Sequence, residues 1–242
     1  MKALLLAAGL GTRLRPLTNY VPKCLVPING KPLLSYWLDN LEAAGIDDFL
    51  INTHYFSEQV SEFVENSSYK DKITLIYEDK LLLTAGTVLK NKELLKDEPF
   101  MLVHADNLSF CNFKEFIEVH KRRPKNTLIT MMVFKTDTPK SCGIVEVGAD
   151  KTVINFYEKS NEDVGNLANA AVYIVEPEVI KFLESIGKEE IDFSIEVIPH
   201  FINKISVYEN DVYHRDIGTL ESYALANYHM SKNIYNSEVV DE

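Results

Sequence analysis

"KALLLAAGLGTRLRPLTNYVPKCLVPINGKPLLSYWLDNLEAAG", residues 2–45, opens on a short apolar run and closes on an amphipathic one, with a Gly- and Pro-dense turn between them. Lys2 to Ala7 reads as a buried strand. Leu34, Trp37, Leu38 and Leu41 fall at i, i+3, i+4 and i+7, so a helix is expected from about Pro32 to Ala44, started by the proline and stopped at Gly45. A strand at Phe49 to Thr53 and a helix from about Glu58 to Glu65 repeat the unit. Alternation of this kind builds a parallel sheet covered on both faces. Ile73 to Tyr77 and Phe100 to His104 continue the strands, with helices near Thr87 to Leu95 and Phe113 to Arg122, the latter with Asn112 as its cap.

After about residue 125 the rhythm changes. Thr127 to Phe134, Ile144 to Val147 and Val153 to Tyr157 follow one another closely, with Gly148 and Asp150 forming a turn between the last two, which reads as an antiparallel addition. Leu167 to Val175 is a further strand and Pro177 to Glu184 a helix. Val207 to His214 reads as one strand leading into a helix from about Leu220 to Met230. No internal repeat or low-complexity linker appears, so residues 1–242 are expected to form one domain in two parts, about 1–125 and about 126–242. The last seven residues, "NSEVVDE", are expected to fray.

With 242 residues and 46% hydrophobic content the chain can bury a sizeable core. It lacks the run of about 18 apolar residues that a membrane-spanning helix needs, and Leu4 to Ala8 is too short and too unlike a cleavage site to be a signal peptide. A cytoplasmic protein is expected. Cys24, Cys111 and Cys142 are odd in number and lack CxxC spacing, which argues against disulfides and structural zinc. The net charge of −11 makes nucleic acid a poor partner. If phosphates are handled, local cations or a metal have to do it.

The first turn supplies such cations. Ligands of open α/β sheets bind beyond the carboxyl ends of the strands, where Gly9 to Lys23 lie. Glycine lets backbone N–H groups approach phosphate oxygens, and Arg13, Arg15 and Lys23 add charged donors. The turn is nevertheless neither a Walker loop, since GxxxxGK[ST] is absent, nor a dinucleotide fingerprint, since Leu14 stands at the third glycine position.

The full string is more telling. "LAAGLGTRLRPLT" followed by "PKCLVPINGKPLL" resembles the signature of the sugar-1-phosphate nucleotidyltransferases, and "LLTAGTV", "VHADNL", "CGIVEV", "VINFYEKS", "GNLANAAVYIVEPEVI" and "HRDIGTLESY" follow in that family's order. The resemblance implies an α/β fold of Rossmann-like type: a mixed, mostly parallel sheet flanked by helices, with a smaller antiparallel sugar-binding subdomain after the nucleotide-binding part. It also implies the reaction, in which a sugar 1-phosphate oxygen attacks the α-phosphorus of a nucleoside triphosphate and pyrophosphate leaves. Such chemistry asks the protein to align two anions and neutralise spreading charge.

By the same resemblance, Leu6, Ala8, Gly9, Gly11, Thr12 and Arg13 seat the nucleotide, with Arg13 on the triphosphate and Lys23 bridging toward the reacting phosphates. Asp106, after the strand "FMLVH", and Asp216, at the end of another, are the implied ligands of Mg2+, a hard cation suited to carboxylates and phosphate oxygens. Thr84, Gly86 and Thr87 border the nucleobase, and Gly143, Glu158, Lys159 and Asn169 take the sugar phosphate. Departures from the family pattern stand at Cys24, Leu83, Ala105 and Ser160, where Pro, Gly, Gly and Pro are common. GTP with a manno-configured or heptose 1-phosphate is the favoured pair. An enzyme using dTTP, UTP or CTP, or a non-sugar acceptor, is one alternative; a silent binding homologue is another, disfavoured because Arg13, Lys23, Asp106 and Asp216 are all present. Supply of nucleotide sugars for cell-surface polysaccharide is the expected context. A homo-oligomer is compatible with the family. The histidines show no metal spacing, and His104 and His214 are expected to pack behind the two aspartates rather than ligate.

Overall fold

A computed structural model describes residues 1–235, so the terminal "NSEVVDE" lies outside the described residues. The strands are, in chain order, β1 (Ala3–Leu6), β2 (Pro27–Ile28), β3 (Lys31–Pro32), β4 (Phe49–Thr53), β5 (Ile73–Tyr77), β6 (Phe100–His104), β7 (Asn107–Phe110), β8 (Ile129–Lys135), β9 (Gly143–Val147), β10 (Val153–Glu158), β11 (Leu167–Val175), β12 (Ile205–Glu209) and β13 (Tyr213–Asp216). The helices are α1 (Leu33–Ala43), α2 (Ser57–Glu65), α3 (Leu83–Lys90), α4 (Lys92–Leu95), α5 (Phe113–Arg122), α6 (Glu178–Ile186) and α7 (Leu220–Ser231). The fold is mixed α/β, a central sheet flanked by helices with small antiparallel sheets besides. By internal contacts the chain divides into two compact units that interleave along the sequence.

One unit gathers Met1–Leu4, Lys80–Val103 and Lys114–Glu209. Its organiser is β11, antiparallel to β6, β8 and β9, while β12 runs parallel to β8 on the other side of that strand. β9 and β10 form an antiparallel pair in which Gly143 faces Glu158. Near-continuous apolar strands such as "MMV" in β8 and "VYIV" in β11 are buried on both faces, as such composition demands. One polar chain is enclosed: His120 Nδ1 lies 2.7 Å from Thr130 Oγ1, which lies 2.9 Å from Ser206 Oγ, and His120 Nε2 lies 3.2 Å from Glu176. Burial, with the Arg123 cation beside it, pushes the His120 pKa down to about 3.

The other unit gathers Leu5–Asp79, His104–Phe113 and the chain from Asn210 onward. β4 and β5 pair in parallel, Phe49 opposite Ile73 and Thr53 opposite Tyr77. α1 buries Leu34, Trp37, Leu38 and Leu41, the face read from the sequence, and Gly45 ends it at a φ of 91°. The indole of Trp37 donates to the Asn107 carbonyl at 2.7 Å, so α1 holds β7 as well as the core. α7 is capped by Thr219, whose hydroxyl accepts from Ser222 N–H, and is pinned to β2 by Tyr223 O–H donating to the Pro27 carbonyl. Leu14, Ile28, Leu33, Leu108 and Ile217 form a common apolar cluster there.

Two expectations need correction. The single strand read at Val207 to His214 is two strands, β12 and β13, in different units. Asn210 breaks it: its side-chain amide donates to Ser109 Oγ and the Tyr213 carbonyl, and its oxygen accepts from Val212 N–H, a local turn that competes with any ladder. The helix expected from Thr87 to Leu95 begins earlier and divides at Asn91, whose side chain donates to the Thr87 carbonyl four residues back. β7, the strand "NLSF", was not anticipated.

Candidate active site

β1 ends at Leu6, and the backbone then enters the glycine turn under tight control. Ala7 N–H donates to Asn52 Oδ1 at 2.7 Å, and the same amide's nitrogen donates to Glu78 at 3.2 Å, a buried polar chain that fixes where the turn begins. Ala8 is buried, whereas Gly9 is open: a Cβ on Gly9 would meet nothing within 4 Å. Gly11 is different. Its φ of 61° is left-handed, it precedes a single helical turn at Thr12–Leu14, and Thr18 O–H donates to its carbonyl at 2.7 Å. Leu14 is fully buried and anchors the far side of that turn. Between these fixed points Gly9, Thr12 and the Arg13 side chain face outward.

Four charged groups meet beside the turn. Lys23 starts a short helical turn after Pro22, and its side chain is only 7% exposed. Its ammonium lies 2.7 Å from Asp106 Oδ2 and 3.4 Å from Asp216 Oδ1. Arg13 Nη2 stands 3.8 Å from Asp216 Oδ2. The two acids, 110 residues apart in sequence, are brought together by backbone pairing: β7 and β13 are antiparallel with Asn107 opposite Asp216, and Ile217 N–H donates to the Asp106 carbonyl at 3.2 Å. Both side chains remain partly open to solvent, 41% for Asp106 and 53% for Asp216.

The surroundings favour an anionic Asp106. Crowding by protein atoms pushes the Asp106 carboxyl up, but the Lys23 ammonium, with His104 behind it, outweighs this and holds it below the usual carboxylate range. His214, on β13, is half-buried, and desolvation of its ring drives its pKa down to about 3 despite the pull of Asp106. Cys24, next to Lys23, is likewise buried, and its thiol is pushed up to about 12, so it stays protonated and unreactive. Gly218 is a residue that sequence reasoning passed over. A side chain there would run into the Asp216 carboxylate and come within 3.1 Å of Arg13 Nη2. The signal was present as the "DIG" that follows Arg215, two residues from an acid already singled out.

Two carboxylates with a lysine as their counter-ion suit a hard divalent cation that completes its shell with phosphate oxygens and water, because such a cation needs only one or two acids from the protein. Among the described residues no group of three or more His, Cys, Asp and Glu side chains is gathered as a metal cage. Asp106 and Asp216 are therefore the residues that fit.

The remaining expected residues lie in the other unit. Thr84 O–H accepts from Phe193 N–H at 2.7 Å, Thr87 O–H donates to the Leu83 carbonyl, and Gly86 N–H donates to the Ile191 carbonyl. A Cβ on Gly86 would strike the Glu189 carbonyl, so this glycine is needed for packing in its own unit. Leu83 adopts a φ of 64° and is 48% exposed. At the paired ends of β9 and β10 a side chain on Gly143 would fall 2.8 Å from Glu158 Oε2 and 2.5 Å from the Phe156 ring, so glycine makes room for that carboxylate. Lys159 follows with φ 49°, its ammonium 3.4 Å from Glu158 Oε1. Asn169 sits at an irregularity of β11: its oxygen accepts from Ala171 N–H and its amide donates to the buried Tyr173 hydroxyl at 2.7 Å.

Comparison with known proteins places the chain in a family. The family model described as nucleotidyl transferase matches residues 2–233. A mannose-1-phosphate guanyltransferase 2 of Candida glabrata is 33% identical over 219 residues, 88% of this chain and 59% of that protein. A probable mannose-1-phosphate guanylyltransferase 1 of Oryza sativa is 37% identical over 200 residues, 78% of this chain and 55% of that one. The chain thus spans somewhat over half the length of these curated relatives. Among solved structures, a glucose-1-phosphate thymidylyltransferase of Bacillus anthracis, described as putative, superposes with a TM-score of 0.85 over 100% of this chain and 98% of its own, at 19% identity, which speaks to fold alone.

Proposed function

From the premise that this chain belongs to the nucleotidyl transferase family, we propose that it transfers a nucleotidyl group from a nucleoside triphosphate to a sugar 1-phosphate, and that the natural pair is GTP with a manno-configured sugar 1-phosphate. The observation that carries the reading is Lys23, buried between the carboxylates of Asp106 and Asp216 beside an exposed arginine and an open glycine turn. The names of the relatives in yeast and rice support the choice of guanine and mannose.

In this reading the backbone at Leu6, Ala8, Gly9, Gly11 and Thr12 cradles the triphosphate, and Arg13 neutralises its outer charge. Thr84, Gly86 and Thr87 stand at the base. Glu158 and Asn169 accept and donate to sugar hydroxyls, with Gly143 giving Glu158 its space and Lys159 pairing with the sugar phosphate. One oxygen of that phosphate forms the new bond to the α-phosphorus as the bond to the β-phosphate oxygen breaks, and pyrophosphate departs with the electron pair. Lys23 lowers the repulsion between the two anions and stabilises charge on the α-phosphoryl oxygens, an interaction that grows toward the transition state. Mg2+, held by Asp106 and Asp216 with phosphate oxygens, would supply further charge neutralisation. A cytoplasmic location fits substrates of this kind.

The test is a pyrophosphate-release screen of GTP, ATP, UTP, CTP and dTTP against mannose, glucose and heptose 1-phosphates in Mg2+. Turnover greatest with GTP and a manno-configured acceptor supports the assignment. Preference for another base moves it to that nucleotide, and no release from any pair refutes the activity.

A further inference from the structure

We infer that Lys23 is a resident counter-ion that keeps divalent metal off the acid pair until a triphosphate draws it away, so that metal and nucleotide enter together. The inference rests on the triphosphate reading above. Its physical basis is local to one unit. Lys23 is the most enclosed of the four charged groups, 7% exposed against 41% for Asp106, 53% for Asp216 and 70% for Arg13. Its ammonium touches both acids at once. Two carboxylates and two cations within these distances sum to zero charge, so a divalent ion approaching from solvent meets no net attraction and finds a positive charge already between its prospective ligands.

The stem of Lys23 is not free to swing into solvent. Its Cβ packs against Gly11, where an added methyl would lie 3.2 Å away, and the adjoining Cys24 is buried. A buried ammonium stripped of its partners is costly, so the pair with Asp106 opens only in exchange for another anion. Phosphate oxygens presented at the Gly9 to Arg13 turn are such an anion. They engage Lys23 and Arg13 and leave Asp106 and Asp216 with uncompensated charge in the same event. The acids then have both a reason and the room to take a metal that the phosphates share.

The experiment uses the full chain and Mn2+ alone as probe, with free Mn2+ read by electron paramagnetic resonance and no nucleotide present. Wild type, Lys23→Met, Lys23→Gln and the double variant Lys23→Met/Asp216→Asn are compared, with circular dichroism confirming the fold of each. Removing the lysine charge is expected to tighten Mn2+ binding at least about ten-fold, and adding Asp216→Asn is expected to cancel the gain. Lys23→Gln keeps a donor between the acids and covers the case in which Lys23→Met does not fold. Equal Mn2+ affinity in wild type and both single variants overturns the inference, as does a gain that survives in the double variant. Retention of radiolabelled GTP by wild type in Mg2+ is measured separately. Its absence with the Mn2+ pattern intact overturns the functional reading while leaving Lys23 as the counter-ion; its presence with no Mn2+ difference overturns the lysine gate alone.

Discussion

Gly9 and Gly11 look alike in the sequence, both as points where backbone comes close to phosphate, yet the structure separates them, and alanine at each position tests the separation. At Gly11 two penalties fall together. The left-handed φ of 61° costs a non-glycine residue about 1–2 kcal/mol. The new methyl would lie 2.8 Å from Thr18 Cγ2 and 3.2 Å from Lys23 Cβ, so Thr18 has to retreat by about 0.6 Å to reach ordinary contact at 3.4 Å. That movement strains the 2.7 Å bond from Thr18 O–H to the Gly11 carbonyl, worth about 1 kcal/mol. A loss of about 2–3 kcal/mol is expected for Gly11→Ala from these terms, together with a fall in kcat because Lys23 shifts. At Gly9 the added methyl meets nothing and φ is not left-handed, so Gly9→Ala should leave stability within about 0.5 kcal/mol of wild type and raise KM for the nucleotide if backbone closeness to phosphate is what the glycine provides. Urea denaturation gives the first quantity and pyrophosphate release the second. Equal stability of the two variants would refute the conformational account of Gly11.

Gly218→Ala should lower kcat/KM by about a hundred-fold, the scale on which displaced site groups act, with little change in melting temperature. The methyl displaces the Asp216 carboxylate toward solvent rather than into a core, and unaltered kinetics would show that Asp216 has slack. Leu83→Gly removes a left-handed strain from an exposed side chain and should stabilise the protein by about 1 kcal/mol; a lower urea midpoint would contradict the strain. For His120, the folded state holds the pKa near 3 against about 6.5 when unfolded. The unfolded chain alone binds the proton between those values, so stability is full above about pH 6.5 and falls as pH drops toward 3, by up to about 1.4 kcal/mol per unit. His214 adds the same dependence. Urea midpoints should hold level from pH 7.5 to about 6.5 and then fall toward pH 4.5, less so in His120→Gln, and a profile flat throughout in wild type would refute the burial argument.

The fold was legible wherever a single periodicity governed a segment. α1 reproduces the expected helix because Leu34, Trp37, Leu38 and Leu41 have one face to bury, and β4, β5, β6 and β11 have the expected bounds because apolar runs end sharply at polar residues. It was not legible where a side chain rewrites the backbone locally. Asn210 and Asn91 each do this through hydrogen bonds to nearby main chain, and no window average of hydropathy registers an amide bonding its own neighbours. The first turn was readable as a motif, but the work of Asn52 and Glu78 beneath it was not, since that chain of contacts joins β1, β4 and the end of β5. Arg13 and Lys23 stand out from the charge of the first turn, and Asp106 and Asp216 from the resemblance; that Lys23 is buried between the acids depends on the pairing of β7 with β13, a strand the apolar pattern does not announce.

The interleaving of the two units bears on how such a chain can change over time. The backbone passes from one unit to the other after Leu4, Asp79, Val103, Phe113 and Glu209. Three of those passages come shortly before the glycine turn, Asp106 and Asp216. No single cut releases either unit, so neither is a module that recombination or truncation could trade. The cations and the acids therefore reach one unit by three separate stretches of chain, all of which must be present for the four charges to meet.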